Sequence, residues 1–371
     1  MTTGHEATDH RVYDKEALSL SSFGASVIVI GKQFKQQPDT NNVKIIVTPN
    51  PQNRFQRFLQ QPWRCWSIAS NMNIDILHIH DAELLQIVPW IRLRWPKTKI
   101  VYDVHEDFTY LISRRSYLPE VTKPFLSKVT NISEKRIAKL VHGIVGATQP
   151  LADRFVKNRR IGIYNFPSKR FYATSKRLAK PISQRKYDII HLGTLSLERA
   201  KFLAETLQIL HQQKSNTKTL ITGVHDHIYK QLQTMIPPGC EIEGKISYSQ
   251  VSLRLGNARI GIDIHPFHTR NLNVAVPVKV FEYMACGCAV VTSQMPVFNQ
   301  LIAKSNVELK DIITIHGGTP EIYANAVRNM LERVNDGEDV GKRLQVSARC
   351  SFMWEREAEK LVNFYLELLK C

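Results

Sequence analysis

The sequence contains no apolar run approaching the roughly 18 residues that would cross a bilayer, and its start, MTTGHEATDH, has no signal-peptide core. Its six cysteines (Cys65, Cys240, Cys286, Cys288, Cys350 and Cys371) form no CxxC pair. They read as buried or incidental thiols of a reducing compartment. There is no repeat of short period and no low-complexity tract, which excludes a repeat array. Acidic residues are scarce, with 33 Asp and Glu against 50 Lys and Arg, a formal charge of +17. A field of that sign attracts phosphate-rich partners such as nucleotides, nucleic acids or an anionic membrane surface. No nucleic-acid motif or interleaved aromatic platform is present, so nucleic acid is not an expected partner. The expected location is the cytoplasm, with the inner face of a membrane as a resting place.

What is present is ordinary globular material: 371 residues, 43% apolar and 22% charged. That length exceeds one core and predicts two similar domains. Short β-branched runs alternate with longer helical stretches, which predicts parallel sheets covered by helices. The expected strands of the first half are SVIVIG, NVKIIVT, IDILHIH, TKIVYDV and GIVGAT; those of the second are YDIIHLG, KTLITG, RIGIDI, CAVVTS and DIITI. Two doubly wound units in series would face a central cleft, because open α/β sheets bind outside the carboxyl ends of their strands. Residues 151 to 186 carry eleven Lys or Arg against one acid, Asp153, and the Pro-containing part from 166 to 186 reads as a linker. The expected boundaries are 1–170, 171–350 and a final helix within 351–371 that packs back toward the first domain. Such domains usually open on a strand, yet the helix-like DHRVYDKEALSLSSFG begins within ten residues of Met1. The expectation is a first domain lacking its first strand, through a late start or an internal Met1, with an unpaired neighbour left in its sheet.

The segment VPVKVFEYMACGCAVVTS, residues 276 to 293, has the clearest local logic. Pro277 fits the first helical position, where a missing N–H costs nothing, and Gly287 fits a left-handed helix end. The helix VKVFEYMAC then starts after the loop HTRNLNVAV, with free N–H groups suited to a diphosphate. Lys279 and Glu282, three apart, share one face. One reading gives Lys279 phosphate oxygens and Glu282 two ribose hydroxyls. The other makes them a surface ion pair above core residues Phe281, Met284 and Ala285.

This segment resembles the P-x-K-x-x-E-Y-M-A-x-G-x-P-V-V signature of the GT4-type (group 1) retaining glycosyltransferases, which have the GT-B fold. TGHEATDHRVYDKEALSLSSFG is similar to the family opening HPxxDxRIFxKExxSLxxxG. IDILHIHDAELL and TKIVYDVHEDF resemble the HxHDPEL and YDVHEDF pair of bacterial polysaccharide-synthesis transferases. GIVGATQPLADRF, YNFP, IIHLGTLSLERA and FMWERE also match in order, so the resemblance covers nearly the whole chain. It implies an acceptor-binding first domain and a second domain that binds a nucleotide-diphosphate sugar. It further implies transfer with retention to a glycan or lipid-linked acceptor, no required cofactor and no metal.

By the resemblance, Glu282 holds the ribose, Lys279 lies at the edge of the donor site, and Gly193 lets donor phosphates approach the backbone. Arg199 matches the basic residue of the family's phosphate clamp, with Ala200 where Gly usually follows and Lys201 as a nearby substitute. Arg199 also reads as an ordinary basic residue of a first helical turn. The family often has a second carboxylate eight residues before Glu282. Here that position is Val274, and Asn273 offers a neutral hydrogen bond to the sugar instead.

In the first half, strand ends place His78, His80 and Asp81 after IDIL, and Asp103, His105, Glu106 and Asp107 after KIVY. Three readings stand: a divalent-metal site, for which no HxxxH helix or tetrahedral pattern is present; strand-end residues tying loops together; or acceptor binding and catalysis. In similar transferases the His of YDVHE lies beside the anomeric carbon, which favours His105, with Glu106 or Asp81 as orienting partner. His225, His227, His265 and His268 read as solvent-facing or local hydrogen bonders, the last two bordering the donor loop. The basic residues of ISRRSYLPEVTKPFLSKVTNISEKRIAKL, seven against two acids, suit either an anionic membrane carrying a lipid-linked acceptor or plain solvent. The rival functions are a GT-B sugar-nucleotide epimerase or hydrolase, and a non-catalytic homologue that binds nucleotide sugars or polyanions.

Overall fold

A computed structural model describes residues 1–34, 43–113, 115, 118–214, 216–265 and 269–370. The chain forms two compact units, Met1–Asn165 with Trp354–Cys371, and Phe166–Met353.

In the first unit the apolar, β-branched runs form β1 (Val27–Lys32), β2 (Val43–Thr48), β3 (Ile76–Ile79), β4 (Lys99–Val104), β5 (Gly143–Gly146) and β6 (Arg159–Gly162). β1 and β2 are a parallel pair, and β3 to β6 are a parallel four-stranded sheet in sequence order. The expected unpaired neighbour between these sheets does not occur. Met1 donates its N–H to the His78 carbonyl at 2.5 Å and accepts from His80 N at 3.0 Å, while Thr2 N donates to the Ile30 carbonyl at 2.9 Å. Two residues of extended backbone thus occupy the slot of a missing strand, too short a run to be legible as a strand by periodicity. The helix expected after them is a wide turn, His10–Ala17, continued by Leu18–Ser22; the Asp9 carboxylate caps it by accepting from Arg11 N and Val12 N.

The last helix runs from Trp354 to Leu369, as its apolar face indicated. Leu361, Phe364 and Leu368 pack on Val101, Val145 and Ile163, which lie along or just after β4, β5 and β6. Gly143, at the start of β5, is the point of closest approach. A Cβ there would lie 2.7 Å from Phe364 Cζ and 2.9 Å from Leu368 Cδ1.

The second unit is one six-stranded parallel sheet built from β7 (Tyr187–Leu192), β8 (Thr219–Thr222), β9 (Cys240–Glu243), β10 (Ala258–Asp263), β11 (Ala289–Ser293) and β12 (Ile312–Ile315). Its order is β12-β11-β10-β7-β8-β9. The chain therefore winds outward from β7 in one direction through β8 and β9, then returns to β10 on β7's other side. That reversal leaves the carboxyl ends of β7 and β10 as a topological switch point, where open α/β sheets bind ligands. β6 and β9 escaped the sequence reading because RRIG and CEIE are short and half polar. The stretch expected as a linker instead contains the helix Lys169–Leu178, capped by Ser168 and burying Phe171, Tyr172 and Ser175.

Gly143→Ala is expected to cost about 1–3 kcal/mol, the usual penalty of overpacking, measured as a lowered denaturant midpoint. Adding Phe364→Leu should return part of that loss, since the two side chains share the space.

Candidate functional site

At the switch point of the second unit, β7 ends in Gly193 with φ +101° and β8 ends in Gly223 with φ +89°. A Cβ on Gly223 would stand 2.9 Å from the Gly193 Cα, so Gly223 is required by close backbone contact as well as by its dihedral, and Gly193 by its dihedral. Beside them β10 ends in Asp263, 0% exposed. Lys279 Nζ lies 3.1 Å from its Oδ1, Arg199 a further contact at 3.5 Å, and His265 Nε2 3.3 Å from Oδ2. Arg199 is fixed a second time, its Nε donating to the Ile264 carbonyl at 2.7 Å. Burial opposes ionisation of Asp263, yet Lys279, His265 and Arg199 hold its carboxyl well below the usual range. Burial, with the charges of Lys279 and Arg199, keeps His191 well below its ordinary value, hence neutral.

The helix that carries Lys279 is Val278–Ala285, with Pro277 one position earlier than expected, as its cap, and Gly287 in the left-handed conformation just beyond its end. Tyr283 anchors it to the sheet: its hydroxyl donates to the Ile262 carbonyl at 3.1 Å and accepts from Leu192 N at 2.9 Å, bridging the ends of β10 and β7. Its ring lies over Gly261, where a Cβ would be 2.2 Å from the ring. Glu282, one turn from Lys279, is 7% exposed. A surface ion pair therefore does not describe these two residues, since Glu282 is buried and Lys279 reaches Asp263. Lys201 and Asn273 are exposed, the latter in the short turn Arg270–Asn273.

In the first unit His78 and His80 project to one face of β3, their rings stacked at 4.4 Å. Asp103, buried on β4, gathers the surrounding groups. Arg11 donates to it through Nε at 3.2 Å and through a terminal nitrogen at 3.1 Å, and His105 Nε2 lies 3.1 Å from its Oδ2. Burial opposes this carboxylate, and Arg11 first, then His105, holds it well below the usual range. Burial and the neighbouring Asp103 charge push Glu16 well above it. Burial lowers both His78 and His80, the latter to about 4. His105, 19% exposed at its side chain, keeps one side open; His80 Nδ1 is 3.3 Å from its Nε2. One ligand atom from each of Glu16, His78, His80 and Asp103 falls within 4.8 Å of the others, so these four could hold a metal ion.

The orienting partner of His105 is thus Asp103, where the sequence suggested Glu106 or Asp81. Glu106 is exposed. Asp81 faces the other way and ties down the chain start, accepting from Thr2 Oγ1 at 2.6 Å, Thr3 N at 2.7 Å and Gly4 N at 3.0 Å. Asp107 accepts from Tyr110 N at 3.2 Å in the first turn of Phe108–Ser113. Sequence reasoning missed Asp263, whose signal was a lone acid closing the apolar strand RIGIDI, and Arg11 and Glu16, which lie far in sequence from the strands they meet. His225 and His227 are exposed, as expected, and stacked on one another, but His227 lies in the helix Asp226–Gln233, not in a loop, and His225 is its cap. His265 touches Asp263, and His268 lies outside the described residues.

Comparison with known proteins gives the family and the fold. The family described as glycosyltransferase family 4 matches residues 11–162, and that described as glycosyl transferases group 1 matches residues 186–333. Together they take in most of both units, and the chain belongs to the group 1, family 4 glycosyltransferases. Its fold is that of the GT-B enzymes. Sucrose-phosphate synthase of Thermosynechococcus elongatus superposes with a TM-score of 0.69 at 13% identity, over 95% of this chain and 92% of that one. HepE of Anabaena, solved with UDP and glucose, gives 0.63 at 12% identity over 93% of each chain. The trehalose 6-phosphate synthase of Burkholderia multivorans gives 0.63 at 10% identity, over 99% and 95%. No curated protein matches the chain in sequence.

Burial works against Asp81, but His5 and the donors of Thr2, Gly4 and Thr3 bring its pKa from 3.8 to about 2. A depressed carboxylate contributes stability above its ordinary value and loses it as pH falls through the folded one. Asp81→Asn should therefore cost about 2 kcal/mol at pH 7. The gap from the native chain should close between about pH 4 and pH 2, as read from urea unfolding across that range.

Proposed function

We propose that this glycosyltransferase moves a sugar from a nucleotide-diphosphate donor, with retention, to a glycan or lipid-linked acceptor of cell-surface polysaccharide synthesis. The observation that carries the donor half is the pair of cations, Lys279 and Arg199, locked onto buried Asp263 beside the open backbone of Gly193. Fixed positive charge at the place where a departing diphosphate gathers negative charge lowers the barrier without reorganisation. Glu282 accepts the ribose hydroxyls, Asn273 stands in for the missing carboxylate at Val274 toward the sugar, and Lys201 is a secondary phosphate contact. HepE solved with UDP-glucose and a trehalose-phosphate synthase solved with glucose-6-phosphate support a nucleotide-sugar donor and a sugar acceptor here. The first unit supplies His105 as the catalytic residue beside the anomeric carbon, oriented by Asp103. No cofactor is needed for the transfer itself.

The acceptor surface is proposed to rest on an anionic membrane. Val121 (87% exposed), Phe125 (69%), Val129 and Ile132 recur at helical spacing along and just before the helix Lys123–Ala138. Lys128, Lys135, Arg136 and Lys139 are exposed on the same segment. Apolar side chains rimmed by cations suit the boundary of a negatively charged leaflet. Among the described residues no helix is long and apolar enough to cross a membrane.

Of the UDP, GDP and ADP sugars, at least one should raise the melting temperature, since a ligand that binds only the folded chain stabilises it by mass action. Asp263→Asn, Lys279→Ala and Glu282→Ala should each weaken that ligand by about tenfold or more, near 1.4 kcal/mol. Silence across all three nucleotides overturns the donor assignment. Binding without nucleotide release in the native chain would favour the non-catalytic reading that Val274 suggests.

Sedimentation with vesicles tests the membrane face. Phosphatidylglycerol vesicles should carry the chain down and phosphatidylcholine ones should not, and Phe125→Asp should abolish the difference. Equal recovery from both overturns the proposal.

A further inference from the structure

We propose that Glu16, His78, His80 and Asp103 bind one divalent transition-metal ion of the zinc type. The site is distinct in kind from the donor site and does not depend on the reading given for it. His78 on β3 and His80 just past its end lie on one face, and Asp103 reaches the same face from the neighbouring strand, whose register pairs Ile79 with Tyr102. Glu16 closes the group from the turn His10–Ala17. His80 Nε2 stands 3.8 Å from Glu16 Oε2, and His78 Nε2 stands 3.9 Å from Asp103 Oδ2. Bonds of about 2.0–2.1 Å around a tetrahedral ion put its ligands about 3.3–3.4 Å apart, so these two pairs would close by about half an ångström, and the group, which lies within 4.8 Å, would draw together around the ion.

Three features favour an ion over a merely packed polar cluster. Neither carboxylate oxygen of Glu16 accepts a well-formed hydrogen bond, although Arg11 Nε lies 3.0 Å from Oε1, and His78 Nε2 has no hydrogen-bond partner. Buried polar atoms without partners are uncommon and point to a missing ligand. Next, the outer groups are those that ligands require. Tyr365 pairs its hydroxyl with His78 Nδ1, leaving Nε2 to point inward, and His80 Nδ1 is 3.3 Å from His105 Nε2, which leaves its own Nε2 toward Glu16. Finally, Arg11 is shared: Asp103 and the Ile163 carbonyl accept from it, and its Nε also lies 3.0 Å from Glu16 Oε1, so a single guanidinium serves two carboxylates. Two imidazoles with two carboxylates select a transition metal over magnesium or calcium, which prefer all-oxygen sites.

The test titrates zinc chloride, then magnesium chloride, into the chelator-treated full chain by calorimetry. About one equivalent of zinc and no magnesium is expected, with affinity lowered about tenfold or more in Glu16→Gln and in His80→Asn. The exposed pair variant His225→Ala with His227→Ala should bind as the native chain does. Cobalt(II) added to the native chain should give the intense visible bands of a tetrahedral site, which keeps the test open if a variant fails to fold. Zinc bound well below one equivalent, zinc binding unchanged in both ligand variants, or a weak octahedral cobalt spectrum overturns the proposal.

Discussion

The contact on which the switch point of the second unit depends is the buried carboxylate of Asp263 among Lys279, Arg199 and His265. A lone carboxylate at zero exposure is strongly disfavoured, and only close opposite charge makes it tolerable. Removing Asp263 would leave two cations without their shared counter-charge, with Arg199 still held by the Ile264 carbonyl. Its burial in turn depends on the sheet. β10 delivers it beside Gly193 because the strand order reverses between β7 and β10, and Tyr283 bridges those two strands by hydrogen bonds to both backbones. Topology, helix docking and charge placement therefore stand or fall together.

The first unit repeats the device with a different outcome. Asp103 is also a buried carboxylate at the carboxyl end of a parallel strand, and Arg11 is its principal counter-charge. Around Asp263 the other partners are cationic, so positive charge is in excess and an anion is the natural visitor. Around Asp103 they are histidines kept neutral by burial and a second carboxylate, Glu16, so cationic charge is lacking. The same fold element has been turned toward anions in one unit and toward protons or cations in the other.

How much of this was legible in the sequence follows from how local each determinant is. The helix Val278–Ala285, its Gly287 end and most strands could be read, because they rest on periodicity and on residues that act within one turn. The segment's wording also named the family. What could not be read depends on contacts between distant residues. Arg11 meets Asp103 across 92 positions. Asp81 looked like a partner for His105 because both follow strands, yet its oxygens are taken by Thr2, Thr3 and Gly4. Asp263 was hidden by its surroundings, since a single acid at the end of RIGIDI disturbs neither composition nor pattern. Basic residues from 169 to 178 resembled a linker because their charges outweigh the three buried positions, Phe171, Tyr172 and Ser175, that fix a helix.

The difference between Arg199 and Lys201 shows why the charge of +17 says less than its placement. Both are basic and two residues apart, but Arg199 is held by the Ile264 carbonyl and Asp263, while Lys201 is exposed. An exposed lysine must give up about 2 kcal/mol of side-chain freedom to hold a phosphate, and its charge is screened by water and salt. Arg199 and Lys279 have already lost that freedom in folding, and they act beside a low-dielectric sheet end where each contact is stronger. In the proposed donor role, Arg199 and Lys279 would therefore hold a diphosphate at a lower entropic cost than Lys201.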